Sequence, residues 1–294
     1  MEYHHYWGFS PDYSSWLVSF CAEIVMTKEI GIHEPSLSSY DEADVPKSIL
    51  GDAVGYAEEL FGENQKRRKK YKDQLIGMYM EVKDSDIVII FNSGGWGWNL
   101  TQQTPGWASI LNGIKSELER LGYSSIVLNY RRTGKGVLGC VHEFFESARR
   151  YPSRAEDLAK RIEFLTEHMP DVRVIITGES TGTIITDRTM VLLRDNPQVY
   201  SIQTGMPFWH KPGFSGRTLL INTNGRTVDT FSDGKVPVIV RKSFKSWIGL
   251  SSPKDEPGDI ISWLKAPGHH YTWEYPGVYT KVIEFLQTNF GGVK

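Results

Sequence analysis

The sequence predicts an α/β protein: a mostly parallel, doubly wound sheet with helices on both faces, preceded by a largely helical N-terminal extension. Three observations lead there. From residue 85 onward, short β-branched runs alternate with stretches whose apolar residues recur at helical spacing, the pattern of successive β-α-β units. The runs are nearly continuous in apolar residues, as in strands buried on both faces. One of them, Val172-Arg173-Val174-Ile175-Ile176-Thr177, leads straight into Gly178-Glu179-Ser180-Thr181-Gly182 and then into a helical stretch. Strand, G-x-S-x-G, helix is a context in which the chain turns so sharply that small residues must flank the serine. The turn pushes its hydroxyl into the open above the sheet.

The chain divides into an extension, 1–80, packing on the core, and a domain, 81–294, that carries the chemistry. The extension holds an aromatic start, an apolar run at 15–26, a polar loop at 35–46 and a charged helical stretch at 47–74. Within the last, Gln65-Lys66-Arg67-Arg68-Lys69-Lys70 has acidic residues close by and reads as a solvated helix face, not a nucleic-acid site.

Asp86-Ile87-Val88-Ile89-Ile90-Phe91 opens the domain as a buried strand. Trp107, Ile110, Leu111, Ile114, Leu118 and Leu121 follow at helical spacing until Gly122 stops them. Residues 125–130 make the next strand. Ser153-Arg154-Ala155-Glu156 has the form of a capping box, opening a helix with Leu158, Ile162 and Leu165 on one face. After the serine motif, 183–193 continues as a helix and 198–203 returns as a strand. The Pro-, Gly- and aromatic-rich 207–216 is an irregular connection, 219–222 a strand and Asn224-Gly225 a turn. Residues 236–250 suit a helix through Val236, Val240, Phe244, Trp247 and Ile248, and a strand through Val236, Val238 and Val240. A last strand is expected at 260–264. It precedes Pro267-Gly268-His269-His270 and a closing helix with Val278, Val282, Ile283 and Leu286.

Composition removes several functional classes. A net charge of −2 over 294 residues gives no electrostatic case for nucleic acid or an anionic membrane as partner. Cys21 and Cys140 cannot build a disulfide framework and no metal-type spacing exists, so neither metal nor cofactor is expected and a cytoplasmic location is the default. The start lacks a basic segment followed by an apolar core, and 15–26 carries Glu23 and is too short to span a bilayer. Nine tryptophans and fourteen tyrosines suit a core plus an aromatic-walled pocket. Gly134-Lys135 is no phosphate loop, because Gly136 stands where Ser or Thr would bind magnesium. Arg131, Arg132 and Lys135 follow a strand at the sheet's carboxyl end. They read as solvated loop charges before they read as an anion site.

A serine hydroxyl needs a base to take its proton, and the base needs a partner to hold its tautomer. Among eight histidines, only His269 and His270 lie in a loop after the last expected strand, downstream of the serine. With Phe91-Asn92-Ser93-Gly94-Gly95-Trp96-Gly97 and Ala266-Pro267-Gly268-His269, the serine pentapeptide resembles the α/β-hydrolase superfamily across residues 85–290. The resemblance implies the order serine, acid, histidine. A Gly-His pair after the last strand is the superfamily's usual form, which favours His269 over His270.

The resemblance also implies an oxyanion hole. Thr181 supplies one N–H, and a glycine turn after the first strand supplies another, from Gly94, Gly95 or Trp96. The superfamily's usual histidine is absent from that turn. If 219–222 is the penultimate strand, Asp229 is the acid and Asp233 the next candidate. If 236–240 is that strand, Asp255 or Asp259 takes the role, with little chain left for a helix. The expected activity is hydrolysis of a small-molecule ester or thioester through an acyl-enzyme on Ser180. Amide cleavage, acyl transfer and non-catalytic ligand binding on the same fold are the alternatives. A serine in the motif argues against the aspartate-nucleophile chemistry of dehalogenases and epoxide hydrolases.

Overall fold

A computed structural model of the chain describes residues 42–95, 97, 104–131, 146, 149–213, 216–250, 257–261 and 264–292. Five parallel strands form the sheet: β1 (Ile87–Asn92), β2 (Ser125–Asn129), β3 (Arg173–Glu179), β4 (Val199–Thr204) and β5 (Thr218–Ile221), in the order β2-β1-β3-β4-β5. β1 pairs with β2 through Ile87 and Ser125 and with β3 through Ile87 and Arg173. The chain therefore leaves β1 for one edge and returns to its other side. The strand order reverses between β1 and β3, whose carboxyl ends lie side by side.

β1 shows why both faces must be covered. Val88 and Ile90 join a core with Val174 and Ile176, while Ile87, Ile89 and Phe91 join a second core on the opposite face. The first core is closed by α4 (Pro152–His168) and α5 (Gly182–Leu192). Its outer part is α1 (Lys47–Phe61) and α2 (Gln65–Val82), through Ile49, Ala53, Leu75 and Val82. The second core is closed by α3 (Pro105–Arg120) and α7 (Pro276–Phe290), with Trp107, Ile110, Val278 and Leu286 fully buried. α1 and α2 break at Gly62, and the Asn64 side chain caps the second by accepting the Arg67 N–H at 3.1 Å. The basic run of 65–70 starts α2, and its Arg68 pairs with Glu58 of α1.

Three expectations are corrected. The capping box at Ser153 does not form: α4 starts two residues earlier than that box requires, with Tyr151 as N-cap and Pro152 in its first turn, and the Ser153 hydroxyl donates to Glu146 instead, at 2.8 Å. A proline preset to helical φ needs no side-chain cap. The expected last strand at 260–264 is no part of the main sheet. It folds back on itself as an antiparallel pair, β6 (Asp259–Ile261) with β7 (Leu264–Lys265). Residues 236–250, ambiguous in the sequence, form the helix α6 (Val236–Trp247), which packs Ile239 on Phe231 and Ala266. The third correction concerns the serine itself. No helix among the described residues is long and apolar enough to cross a membrane. Residues 1–41, with the apolar run, most of the polar loop and Cys21, lie outside the described residues, as do Trp96, Arg132, Lys135, Cys140 and Asp255.

Candidate active site

Ser180 follows β3 directly and stands at φ +50°, in the left-handed region that a side chain makes unfavourable. Its backbone is held there on both sides. The N–H donates to the Thr204 carbonyl at the end of β4, at 3.0 Å, and its carbonyl accepts from the Thr183 hydroxyl at 2.6 Å and the Thr183 N–H at 3.0 Å. The motif glycines make the turn possible by close approach. A Cβ on Gly178 would lie 2.8 Å from the Thr186 hydroxyl and 2.9 Å from the Thr183 Cα, and one on Gly182 would lie 2.5 Å from the Asn92 carbonyl. The side chain, however, is not open to solvent: Ser180 is only 2% exposed. Gly94 of the turn after β1 folds over it, so closely that a Cβ there would sit 3.0 Å from the Ser180 Cβ. The Ser180 hydroxyl is buried and has no hydrogen-bond partner among the described residues.

On the neighbouring strand end lies a histidine–carboxylate pair. His269 Nδ1 and Asp229 Oδ2 are 2.8 Å apart, and both side chains are buried. The pair sits over the turn after β4, where a Cβ on Gly205 would lie 2.6 Å from His269 Cε1. Gly205 follows Thr204, which binds the Ser180 N–H. The serine after β3 and the histidine packed over the turn after β4 thus lie at the same end of the sheet. Gly268 explains why glycine precedes the histidine: it has φ +82°, and any Cβ would be driven into the Val228 carbonyl.

Asp229 is the most densely bonded side chain in the site. Oδ1 accepts the N–H groups of Phe231 at 2.8 Å and Ser232 at 3.2 Å. Oδ2 accepts the hydroxyls of Tyr271 at 2.7 Å and Ser232 at 2.9 Å besides His269. Burial alone would raise this carboxyl. The hydrogen bond and charge of His269, then Tyr271 and Ser232, outweigh it and hold the group below its ordinary value. Conversely, burial and then the Asp229 charge push the Tyr271 phenol far above its usual range, so it stays a donor. Asp233 is turned away, exposed and paired with Lys235 at 3.1 Å, and Asp259 pairs with Lys265 at 2.9 Å. His270 bonds Tyr275 instead, at 3.2 Å.

The expected oxyanion donors lie near Ser180, with one surprise. The Gly94 N–H is donated to the Glu179 carboxylate at 3.2 Å, and the Thr181 hydroxyl ties down the Gly95 carbonyl at 3.1 Å. Thr181 is the N-cap residue of α5, directly after Ser180. Arg131 is half-buried. Among the described residues no group of three or more His, Cys, Asp or Glu side chains could hold a metal ion. Sequence reasoning missed Tyr271, Ser232 and Glu179. Tyr271 lies two residues beyond the histidine, and Glu179 is the variable position of the pentapeptide, so only their proximity in space reveals them.

No protein-family model matches the chain, and neither does any curated protein. Among solved structures it is similar to a Trichoderma reesei cutinase in complex with a C11Y4 phosphonate inhibitor. The identity is 13%, the match covers 94% of this chain and 98% of that one, and the TM-score is 0.43. It is also similar to a hydrolase from Oleispira antarctica at 18% identity, over 71% of this chain and 61% of that one, with a TM-score of 0.29. Likenesses this loose carry no weight on chemistry, which has to be read from the site.

Proposed function

We propose that the protein is a serine hydrolase that cleaves a carboxylic ester or thioester through an acyl-enzyme, with Ser180 as nucleophile, His269 as base and Asp229 as the orienting acid. One observation carries this reading. A serine in a strained turn at the sheet's reversal shares its end of the sheet with a buried histidine whose Nδ1 is committed to a carboxylate. Asp229 accepts a hydrogen bond from Nδ1–H, which keeps that proton on Nδ1 and leaves Nε2 with its lone pair, the form a base requires.

The Ser180 oxygen then attacks the acyl carbon as its proton passes to Nε2, and the carbonyl π electrons move onto oxygen. That oxyanion is received by the Thr181 N–H and a donor of the Gly94–Gly95 turn. When the tetrahedral centre collapses, the bond to the leaving group breaks and Nε2 returns its proton to it. Water, deprotonated by the same nitrogen, attacks the acyl-enzyme, releasing the carboxylic acid and restoring Ser180.

A fluorophosphonate probe tests the reading. Intact-mass measurement is expected to show one adduct on the wild type and none on Ser180→Ala. A folded wild type that takes up no probe would refute it.

A further inference from the structure

Among the described residues, α6 carries more exposed large apolar side chains than any other helix or strand. α6 buries only Ile239 and Ser243. At 100° per residue, Val236, Val240, Phe244 and Trp247 fall in one stripe about 80° wide. They are 43%, 59%, 56% and 59% exposed, and Ile248 and Leu250 prolong the stripe past the helix end. At the foot of α6, Phe208 lies against Gly234 and meets Trp209 edge to face, both nearly half exposed. The four aromatics alone leave on the order of 400 Å² of apolar surface in water. A patch of that size marks an interaction surface.

The patch leads to the histidine. Phe208, Trp209, Phe231 and His269 form a ladder of edge-to-face contacts, with centroids 5.0, 5.2 and 4.8 Å apart. Ile239, on the inner side of α6, packs on the same Phe231.

Charge selects the occupant. Residues 236–250 contain Arg241, Lys242 and Lys245 and no acidic residue, although the chain as a whole is net −2. At the same spacing Arg241 falls about 60° and Lys245 about 100° beyond the edge of the apolar stripe, on the side away from the core. A second copy seated on this face would bring like charges together. An anionic lipid surface would attract them while taking up the apolar stripe, and Trp and Phe beside cations are the side chains suited to the headgroup boundary.

We propose that this face docks the protein on an anionic lipid–water interface, with α6 lying along the headgroups, and presents an ester held there to Ser180. The substrate class rests on the hydrolase reading, whereas the docking does not. The test uses the full chain with Ser180→Ala, so that hydrolysis cannot alter the lipid, sedimented with vesicles of phosphatidylcholine alone or mixed with phosphatidylglycerol. Binding is expected on the mixed vesicles. It should weaken at least about tenfold on the neutral ones, with Phe244→Asp, and with Arg241→Glu combined with Lys245→Glu. On the active chain, the same substitutions should leave turnover of a short soluble p-nitrophenyl ester within about twofold, since none touches the reacting groups.

No binding to the mixed vesicles, or binding indifferent to Phe244→Asp, would overturn the proposal. So would a dimer that dissociates with Phe244→Asp, which would assign the face to a second copy. Binding without any soluble-ester turnover would defeat the hydrolase reading and leave the docking standing.

Discussion

Replacing Asp229 by Asn probes the site where its geometry is tightest. Asn has the same shape but one acceptor oxygen and one NH₂ group. Oδ1 of Asp229 faces two backbone donors, the N–H groups of Phe231 and Ser232. Turning the NH₂ toward them would set donors against donors, at about 1–3 kcal/mol for each stranded group. The amide therefore keeps its oxygen there and aims NH₂ at His269, Tyr271 and Ser232. The two hydroxyls can turn to accept, so the fold survives at a cost of about 1–2 kcal/mol. His269 has no such freedom: its Nδ1 must accept, which moves the ring proton to Nε2 and removes the lone pair that would take the Ser180 proton. The expected loss is about 10³–10⁴-fold in kcat, or about 4–5.5 kcal/mol in the barrier. The assay is turnover of a p-nitrophenyl ester, with circular dichroism confirming the fold and the exposed Asp233→Asn as control, expected to change the rate less than about twofold. If Asp229→Asn keeps activity within about tenfold of wild type, the tautomer argument is wrong.

Four further outcomes are expected. Ser180→Gly should stabilise the protein by about 0.5–2 kcal/mol in urea unfolding while abolishing activity, because glycine tolerates φ +50°; a loss of stability would contradict the strain. Gly205→Ala, whose Cβ would lie 2.6 Å from His269 Cε1 at a φ of +66°, should reduce kcat at least about tenfold by displacing the ring, and unchanged kinetics would count against that placement. Glu179→Gln should raise kcat a few-fold, since it removes a negative charge from the Gly94 N–H beside Ser180; a fall in kcat would instead make the carboxylate a positioning group for the turn. His270 is held below its ordinary value, by burial first and then by His269, against the opposing pull of Asp259 and Glu274. The unfolded chain therefore takes up that proton first, so stability should fall as pH drops below about 6.5, and His270→Asn should flatten the fall in urea titrations across that window.

What could be read from the sequence was whatever depends on local pattern. The strands at 87–92, 173–179 and 199–204 are buried on both sides, so their composition is unambiguous. The elbow was legible because its glycines answer to close approaches that any residue with a Cβ would prevent. Residues 260–264 misled because a short apolar run suits a hairpin as well as a sheet strand, and pairing depends on partners far away. Ser153 misled because the competing acceptor, Glu146, lies outside the helix it was read into. The same limit explains the carboxylate. Asp229 and Asp233 are equivalent in sequence, four residues apart, and only the loop that folds 267–271 back onto 228–232 separates them. Glu179 shows the converse: a turn rich in glycine implies free amides, yet the Gly94 amide is taken by the pentapeptide's own side chain.

Backbone strain offers an independent way to weigh Ser180. Among the described residues, four non-glycine positions have positive φ: Arg150, Tyr151, Ser180 and Arg217. Each such conformation costs on the order of 1–3 kcal/mol, and something must hold it. At Arg217 the side chain itself does so, its guanidinium bonding the carbonyls of Val199, Arg194 and Asn196. Around Arg150 and Tyr151 the bend is fixed by Arg188, which binds the Arg150 carbonyl, and by the Tyr151 N–H on Glu146. Both bends close a loop onto a helix or strand, and the bonds they permit account for them. Ser180 is different. Its backbone is held by Thr204 and Thr183, while its buried hydroxyl has no partner among the described residues. A residue placed only for structure would be glycine at that φ, or would use its polar atom. Keeping a serine there costs stability twice, once in the backbone and once in an unsatisfied hydroxyl. That double cost is what the proposed role of Ser180 as nucleophile would account for.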